Sequence, residues 1–385
     1  MILPETEERQ ALRAAVRKLG EKYGPDYYLG KARSGGKTTE LWREAGGLGY
    51  LGVHLPTEHG GGGGGIGDLA AVCEELATAG CPLLLMVVSP AIAGTVIARF
   101  GTADQRRRWL PGLASGELTF AFAITEPDAG SNSHRLTTTA SRDGDELVLT
   151  GQKTYISGVD EADAVLVVGR MRDAGTGRLK PGLFVVPTDA AGFSARLIET
   201  ELVAPAKQFA LSFDEVRLPQ DALVGSPDAG LVQLFAGLNP ERILAAAFAT
   251  GIARYAIGRA VDYARTRQVW DVPIGAHQAV AHPLAATHIN VELARLMTHR
   301  AAELYDAGDD TGAGEAANMA KYAAAEVSIA AVDHAMQTHG GNGFASAYGR
   351  ASFLVSVRLS RTAPVSREMV LNFVAQHSLG LPRSY

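Results

Sequence analysis

Cysteine is nearly absent. Only Cys73 and Cys81 occur in 385 residues, too few for a disulfide framework, so a reducing, cytoplasmic setting is expected. No apolar run reaches the ~18 residues that would suggest a membrane span. The opening "MILPETEERQ" is acidic and lacks the apolar stretch of a signal peptide. Basic charge is also scarce. The 36 lysines and arginines face 41 acids, for a net charge of −5, which argues against a nucleic-acid partner. The ten histidines include no HxxxH pair; His277, His282 and His288 have other spacings, so no metal site is expected. There is no G-x-S-x-G.

What is present suits a large globular protein. The hydrophobic fraction of 46% is ample for a core. Residues 1–116 read as helical: "ETEERQALRAAVRKLG" and "DLAAVCEELATAG" repeat apolar residues every three or four positions. Residues 117–225 change to short β-branched runs, "DELVLTG", "ADAVLVVGR", "GLFVVP" and "FALSFDEVRLP", separated by turn residues. With no long helix between them, an antiparallel barrel or sandwich is expected. In residues 226–385 the helical period returns, with Leu244, Phe248, Ile252 and Tyr255 on one face. Long alanine-rich segments there suggest a four-helix bundle. The expected fold is α+β and mainly α, in three domains.

Two motifs mislead. Gly60–Gly65 satisfies the dinucleotide fingerprint G-x-G-x-x-G only because it is all glycine. No acid for a ribose follows the next apolar run, so it reads as a flexible surface loop. "GQKT", Gly151–Thr154, resembles the end of a P-loop, but Gln152 separates the glycine from the lysine.

"FAFAITEPDAGSN", Phe120–Asn132, carries more. A strand-like start enters a loop rich in hydroxyls and backbone N–H groups, suited to a polar cofactor edge. The stretch resembles the "TEPGAGSD" signature of the acyl-CoA dehydrogenase family. Further resemblances follow in the family's order. "GQKTYIS" is similar to G-x-K-x-W-I-T, "RTRQVWDVPIGAHQ" to R-x-x-F-G-x-x-x-x-x-x-Q, and "QTHGGNGF" to Q-x-x-G-G-x-G-Y. Nearly the whole chain is covered.

The resemblance implies a FAD enzyme and assigns residues to it. Phe122, Ile124, Thr125 and Ser131 would lie along the flavin, with Thr125 on the isoalloxazine edge and Ser131 also touching the thioester. Tyr155 stands where the family has a stacking tryptophan, beside Ile156 and Ser157; one aromatic replaces another. Arg267 and Gln278, with Trp270 between them, would hold the pyrophosphate and adenine half of a neighbouring subunit's FAD, a task suited to a planar guanidinium. Gln337, Gly340 and Gly341 would approach the same cofactor, as would Ser366 and Glu368. Asn132, Trp270 and Asp271 depart from the family's Asp, Phe and Gly.

The catalytic base is displaced. Most of the family ends in R-I-Y-E-G-T-S-E, whose first glutamate takes the α-proton. This chain reads "RTAPVSRE", with Pro364 at that place. A branch of the family, the long-chain and isovaleryl type, carries its base on another helix immediately before an arginine, and Glu241-Arg242 matches that position. Asn239 reads as the N-cap of that helix and Pro240 as its first turn. Asn239 and Arg242 are assigned to the substrate side with Ser131. A helix-dipole role for Glu241 is the bland alternative, and Glu368 is a weaker rival base. The activity implied is α,β-dehydrogenation of an acyl-CoA, or acyl-carrier, thioester. The implied electron acceptor is an electron-transfer flavoprotein, and the implied assembly is a homotetramer or at least a dimer. A flavin oxidase or monooxygenase of the same fold, or a non-catalytic flavin- or acyl-CoA-binding protein, stands as the alternative.

Overall fold

The computed structural model describes residues 5–172, 176–225 and 230–383. Six helices come first: α1 (Glu7–Ser34), α2 (Thr39–Gly47), α3 (Ile66–Thr78), α4 (Leu85–Val88), α5 (Thr95–Phe100) and α6 (Ala103–Ser115). A π-helical turn, Ser89–Gly94, joins α4 to α5. The glycine run leads into α3 but does not cradle a phosphate. The N–H groups of Ile66 and Gly67 donate to Asp306 at 2.7 and 3.0 Å, and that of Gly65 to Asp68 at 2.9 Å. The run is also packed rather than loose. A Cβ on Gly61 or Gly62 would lie 2.1 Å from the Leu55 carbonyl or 2.8 Å from that of Val53.

Eight strands follow: β1 (Phe120–Ala123), β2 (Thr139–Asp143), β3 (Glu146–Ser157), β4 (Ala164–Arg172), β5 (Leu179–Pro187), β6 (Phe193–Ile198), β7 (Gln208–Pro219) and β8 (Leu223–Val224). They form one sheet, ordered β6-β7-β3-β2-β4-β5-β8 with β1 beside β4. This corrects the expected antiparallel barrel or sandwich. Both β1 and β2 run parallel to β4, so the sheet is mixed. Its outer strands β6 and β8 do not pair among the described residues, so it does not close. Alternation specifies which side chains face a core, not which strands are neighbours. Without an intervening helix, nothing in the sequence signals that the chain crosses β2 on its way from β3 to β4.

The alternation itself holds. Phe120, Phe122, Leu166, Val168, Leu183 and Val185 face Ile97, Leu110 and Leu113 of α5 and α6. The intervening Ala121, Ala123, Val165, Val167, Phe184 and Val186 share the opposite core with Leu147, Leu149 and Phe213.

The last part holds α7 (Gly230–Thr266), a hairpin of β9 (Gln268–Val269) and β10 (Val272–Pro273), α8 (Gln278–Asp306), α9 (Asp310–His339), α10 (Leu354–Leu359) and α11 (Arg367–Phe373). Three of these helices are long, not four; the fourth wall of the bundle is α3, which packs along α7 and α8. Buried acids of α3 fasten it. Glu74 meets Arg295 at 2.7 Å and Arg13 at 2.5 Å, and Glu75 meets Arg254 at 2.8 Å. Asn239 is not an N-cap, because α7 runs straight through Asn239 and Pro240. Among the described residues, no helix is long and apolar enough to cross a membrane.

Candidate active site

The loop 124–138 leaves the sheet beside the interior strand β4. β1 pairs with Ala164–Val167 of β4, and β2 pairs with Arg170 and Met171 of the same strand. The chain leaves β4 between the two and returns. Glu126 and Ala129 exchange main-chain hydrogen bonds at 3.1 Å each, forming a tight turn. The Glu126 carboxylate accepts from Thr137 N at 2.6 Å, Thr138 N at 2.9 Å and Lys153 Nζ at 2.9 Å. Lys153 also donates to the Ile124 carbonyl at 2.9 Å. Burial alone would raise the Glu126 pKa; the bonds from Thr138, Thr137 and Lys153 outweigh it and hold it at about 2. Burial pushes Lys153 down to about 8, against the pull of Glu126. The fully buried pair thus staples the loop to β3. The sequence motifs assign neither residue a role; the available signal is that Lys153 falls on the same alternation of β3 as the buried Leu147 and Leu149.

The staple brings Thr125 to Tyr155, both assigned to the flavin: Thr154 N donates to the Thr125 carbonyl at 2.9 Å. Phe122 and Ile156 face opposite sides of the sheet, Phe122 toward α5 and α6 and Ile156 into the core with Leu147 and Phe213. The register between β3 and β7 slips between Lys153 and Ile156, and Tyr155 takes a φ of 58°. A positive φ is costly for an aromatic residue, and a bulge re-aims a side chain. Here the Tyr155 ring is 65% exposed while Ile156 is buried. Ser157 is held by Gln208, whose Nε2 donates to its Oγ at 2.9 Å. Ser131 is exposed.

A second group lies at one end of the bundle. Arg267 follows α7, and Gln278 begins α8. Between them Trp270 and Asp271, with φ of 50° and 63°, form the tight turn of the β9–β10 hairpin. Trp270 is 83% exposed. Gln337 and Gly340 lie at the end of α9, and Asn342 donates to the Tyr263 hydroxyl at 3.1 Å, fastening this turn to α7. No hydrogen bond among the described residues joins this group to 122–157.

The residues fit FAD. A Cβ on Gly130, Gly340 or Gly341 would meet no atom within 4 Å, so the main chain is open to close approach on both surfaces.

The third group surrounds Glu241. Burial raises its carboxyl pKa to about 7, although Arg242 and Lys321 favour the charged form. Burial pushes the Arg242 guanidinium below its usual value, and its Nε has no partner. Arg242 Nη1 donates to the Leu238 carbonyl at 3.2 Å, and the Asn239 amide donates to the Asp310 carbonyl at 3.1 Å. Lys321, on α9, donates to the Val365 carbonyl. Burial and the nearby Arg242 lower its pKa to about 8, while Glu241 and Glu368 raise it. Arg361 pairs with Glu326 of α9 at 2.8 Å. The loop carrying Pro364 is therefore pinned to α9 on both sides of the proline, and the Ala363-Pro364 bond is cis. Ser366 caps α11, its Oγ accepting from Met369 N at 3.3 Å, and Glu368 is exposed in the first turn of that helix.

Residues 6–117, 121–216 and 228–379 match the N-terminal, middle and C-terminal domains of acyl-CoA dehydrogenases. The chain is 66% identical over 381 residues to acyl-CoA dehydrogenase FadE12 of Mycobacterium tuberculosis, covering 99% of this chain and 98% of that protein. It superposes with a TM-score of 0.94 on glutaryl-coenzyme A dehydrogenase in complex with glutaryl-CoA, at 28% identity over 100% of this chain and 98% of that one. Against the glutaryl-CoA dehydrogenase of Mycobacterium smegmatis in complex with FADH2 the TM-score is 0.91, at 26% identity over 99% and 96% of the two chains.

Proposed function

The chain belongs to the acyl-CoA dehydrogenase family, and from that footing we propose that Glu241 is its catalytic base. The enzyme is a FAD-dependent oxidoreductase that converts an acyl-CoA thioester to the 2-enoyl thioester. One observation carries the assignment of the base. The only acid at either family position is Glu241, half-buried beside the charges of Arg242 and Lys321, its carboxyl pKa raised to about 7 by burial, whereas Pro364 occupies the other. A general base works best with a pKa near the operating pH. Its place before Arg242 supports the long-chain and isovaleryl type of arrangement.

Glu241 takes the α-proton of the thioester. FAD, when bound, supplies the acceptor for the hydride leaving the β-carbon. Phe122, Ile124, Thr125, Ser131, Tyr155, Ile156 and Ser157 would hold the isoalloxazine, Tyr155 supplying the aromatic face; Ser131, Asn239 and Arg242 would serve the substrate. Arg267, Trp270, Gln278, Gln337, Gly340 and Gly341 hold the outer half of a neighbouring subunit's FAD, and Ser366 and Glu368 lie on the cofactor side. No hydrogen bond among the described residues joins them to residues 122–157 within one chain, which suits a shared site. So do Ile289 and Leu293, four residues apart on α8 and 59% and 56% exposed, which suit an interface of a homotetramer. Domain limits of 1–116, 117–225 and 226–385 accompany this reading; residues 226–229 at the last limit lie outside the described residues. Electrons pass on to an electron-transfer flavoprotein.

The test is an anaerobic screen of saturated acyl-CoA thioesters, from butyryl to palmitoyl, against the holoenzyme. Bleaching of the flavin by at least one is expected with native protein and not with Glu241→Gln. Bleaching by Glu241→Gln at the native rate would remove Glu241 from the mechanism.

A further inference from the structure

Pro240 sits inside α7, one residue before Glu241. A proline in a helix interior has no N–H to donate, so the carbonyl four residues earlier, that of Ala236, loses its helical partner. A buried carbonyl left unpaired is costly. Here it is not unpaired: the Tyr305 hydroxyl, from the end of α8, donates to it at 3.0 Å.

The hydroxyl is itself held. Arg99 of α5 donates to its oxygen at 3.0 Å and lies 5.5 Å from the ring centroid. The same guanidinium meets Asp310, at the start of α9, at 3.0 and 3.2 Å. The Asp310 carbonyl then accepts from Asn239 at 3.1 Å. Three elements, α5, α8 and α9, therefore converge on the one turn of α7 whose main-chain ladder the proline interrupts. Glu241 is the next residue along it.

We propose that Tyr305 is a positioning residue for the catalytic base. Its hydroxyl takes the place of the missing N–H of residue 240 and fixes the direction in which α7 leaves the break, and so the aim of the Glu241 carboxylate. Arg99 and Asp310 orient that hydroxyl. The proposal rests on Glu241 being the base.

Tyr305→Phe removes only the hydroxyl. In the holoenzyme, anaerobic flavin reduction by an acyl-CoA thioester that bleaches the native protein is expected to slow about tenfold, the scale of one lost hydrogen bond. Half-saturation should change little, and the acid limb of the pH profile should shift. The decisive comparison uses Pro240→Ala, which restores an N–H at residue 240. In that background Tyr305→Phe should have no effect on rate or pH profile, because Ala236 regains a partner within the helix. Equal effects in both backgrounds, or a fall in melting temperature with rate and pH profile unchanged, would overturn the proposal. Glu241→Gln separates the two readings. If it still reduces flavin, the base is elsewhere. If it is inactive while Tyr305→Phe is as fast as native, only the positioning role fails.

Discussion

The ammonium of Lys321 donates a hydrogen bond to the main-chain carbonyl of Val365, and the same ammonium favours the charged form of Glu241. One buried cation thus ties the loop after Pro364 to α9 and acts on the proposed base. The segment that carries Pro364 in place of the family's usual glutamate is thus connected to the acid proposed to stand in for it.

This relationship sets a pH dependence. Only the carboxylate form of Glu241 can accept a proton, and its pKa is raised to about 7. Flavin reduction should therefore fall as pH drops below 7 and level off above it. Lys321→Met removes a charge that stabilises the carboxylate, so the acid limb should move to higher pH. Stopped-flow reduction across pH 5.5–9 measures both; an acid limb moved to lower pH in the variant contradicts the assignment.

Glu241→Gln keeps the shape of the side chain but cannot take a proton. Flavin reduction should slow about 10²–10⁴-fold, the range for a removed general base, with FAD content unchanged. If a native rate survives, Glu368 becomes the residue to substitute next. The raised pKa also predicts a gain in stability. Burial disfavours the charged carboxylate, so stability falls as pH rises from the unfolded value of 4.5 to the folded value of about 7 and levels off above it. The variant should melt higher than native at pH 8.5 and equally at pH 4, below both values.

The protein should purify yellow and release FAD on denaturation, close to one per chain. Arg267→Ala should lower that content, and mixing it with an Arg267-containing, Tyr155-substituted partner should rescue some sites if FAD is shared between subunits. A colourless protein that takes up no FAD on reconstitution would contradict the cofactor.

The Glu126–Lys153 staple predicts a stability effect. Lys153→Met strands a buried carboxylate, at a cost of about 3–5 kcal/mol, read as a lowered urea midpoint. The Glu126 pKa is depressed to about 2. Its contribution is therefore present above the unfolded carboxylate range and lost as pH falls toward 2. Glu126→Gln should flatten the stability curve in that window.

Pro364 predicts a missing donor. The resemblance to the family places a main-chain N–H there on the thioester carbonyl, beside the flavin ribityl 2′-hydroxyl, and proline has none. Reconstitution with 2′-deoxy-FAD should cost at least the about 10²–10³ typical of one oxyanion donor. Pro364→Ala should raise the rate or leave it unchanged. A loss below about tenfold with 2′-deoxy-FAD means another group donates there.

The sequence made the order of elements readable, because periods of about 3.6 and two are local properties. The motif residues were readable as short words with fixed spacing. Strand order was not, since β1 and β2 meet the same side of β4 across 44 and 31 residues of chain, Phe120 to Ala164 and Thr139 to Arg170. Asn239 misled for a similar reason. Asn-Pro-Glu spells a helix start locally, and the Ala236 carbonyl that the proline leaves without a helical donor finds one in the distant Tyr305. Lys153 and Lys321 were passed over because a lysine's partner cannot be read from its neighbours.

The two separate footholds on β4 have a consequence for engineering. Ala123 pairs with Val167, and Thr139 with Arg170, so both ends of the loop 124–138 are set by the sheet and not by the loop. The segment is in effect a cassette. A relative's version could be spliced between these two residues without disturbing either register, provided an acid remained to meet Lys153. Chemistry in this loop can thus diverge while the frame beneath it stays the same.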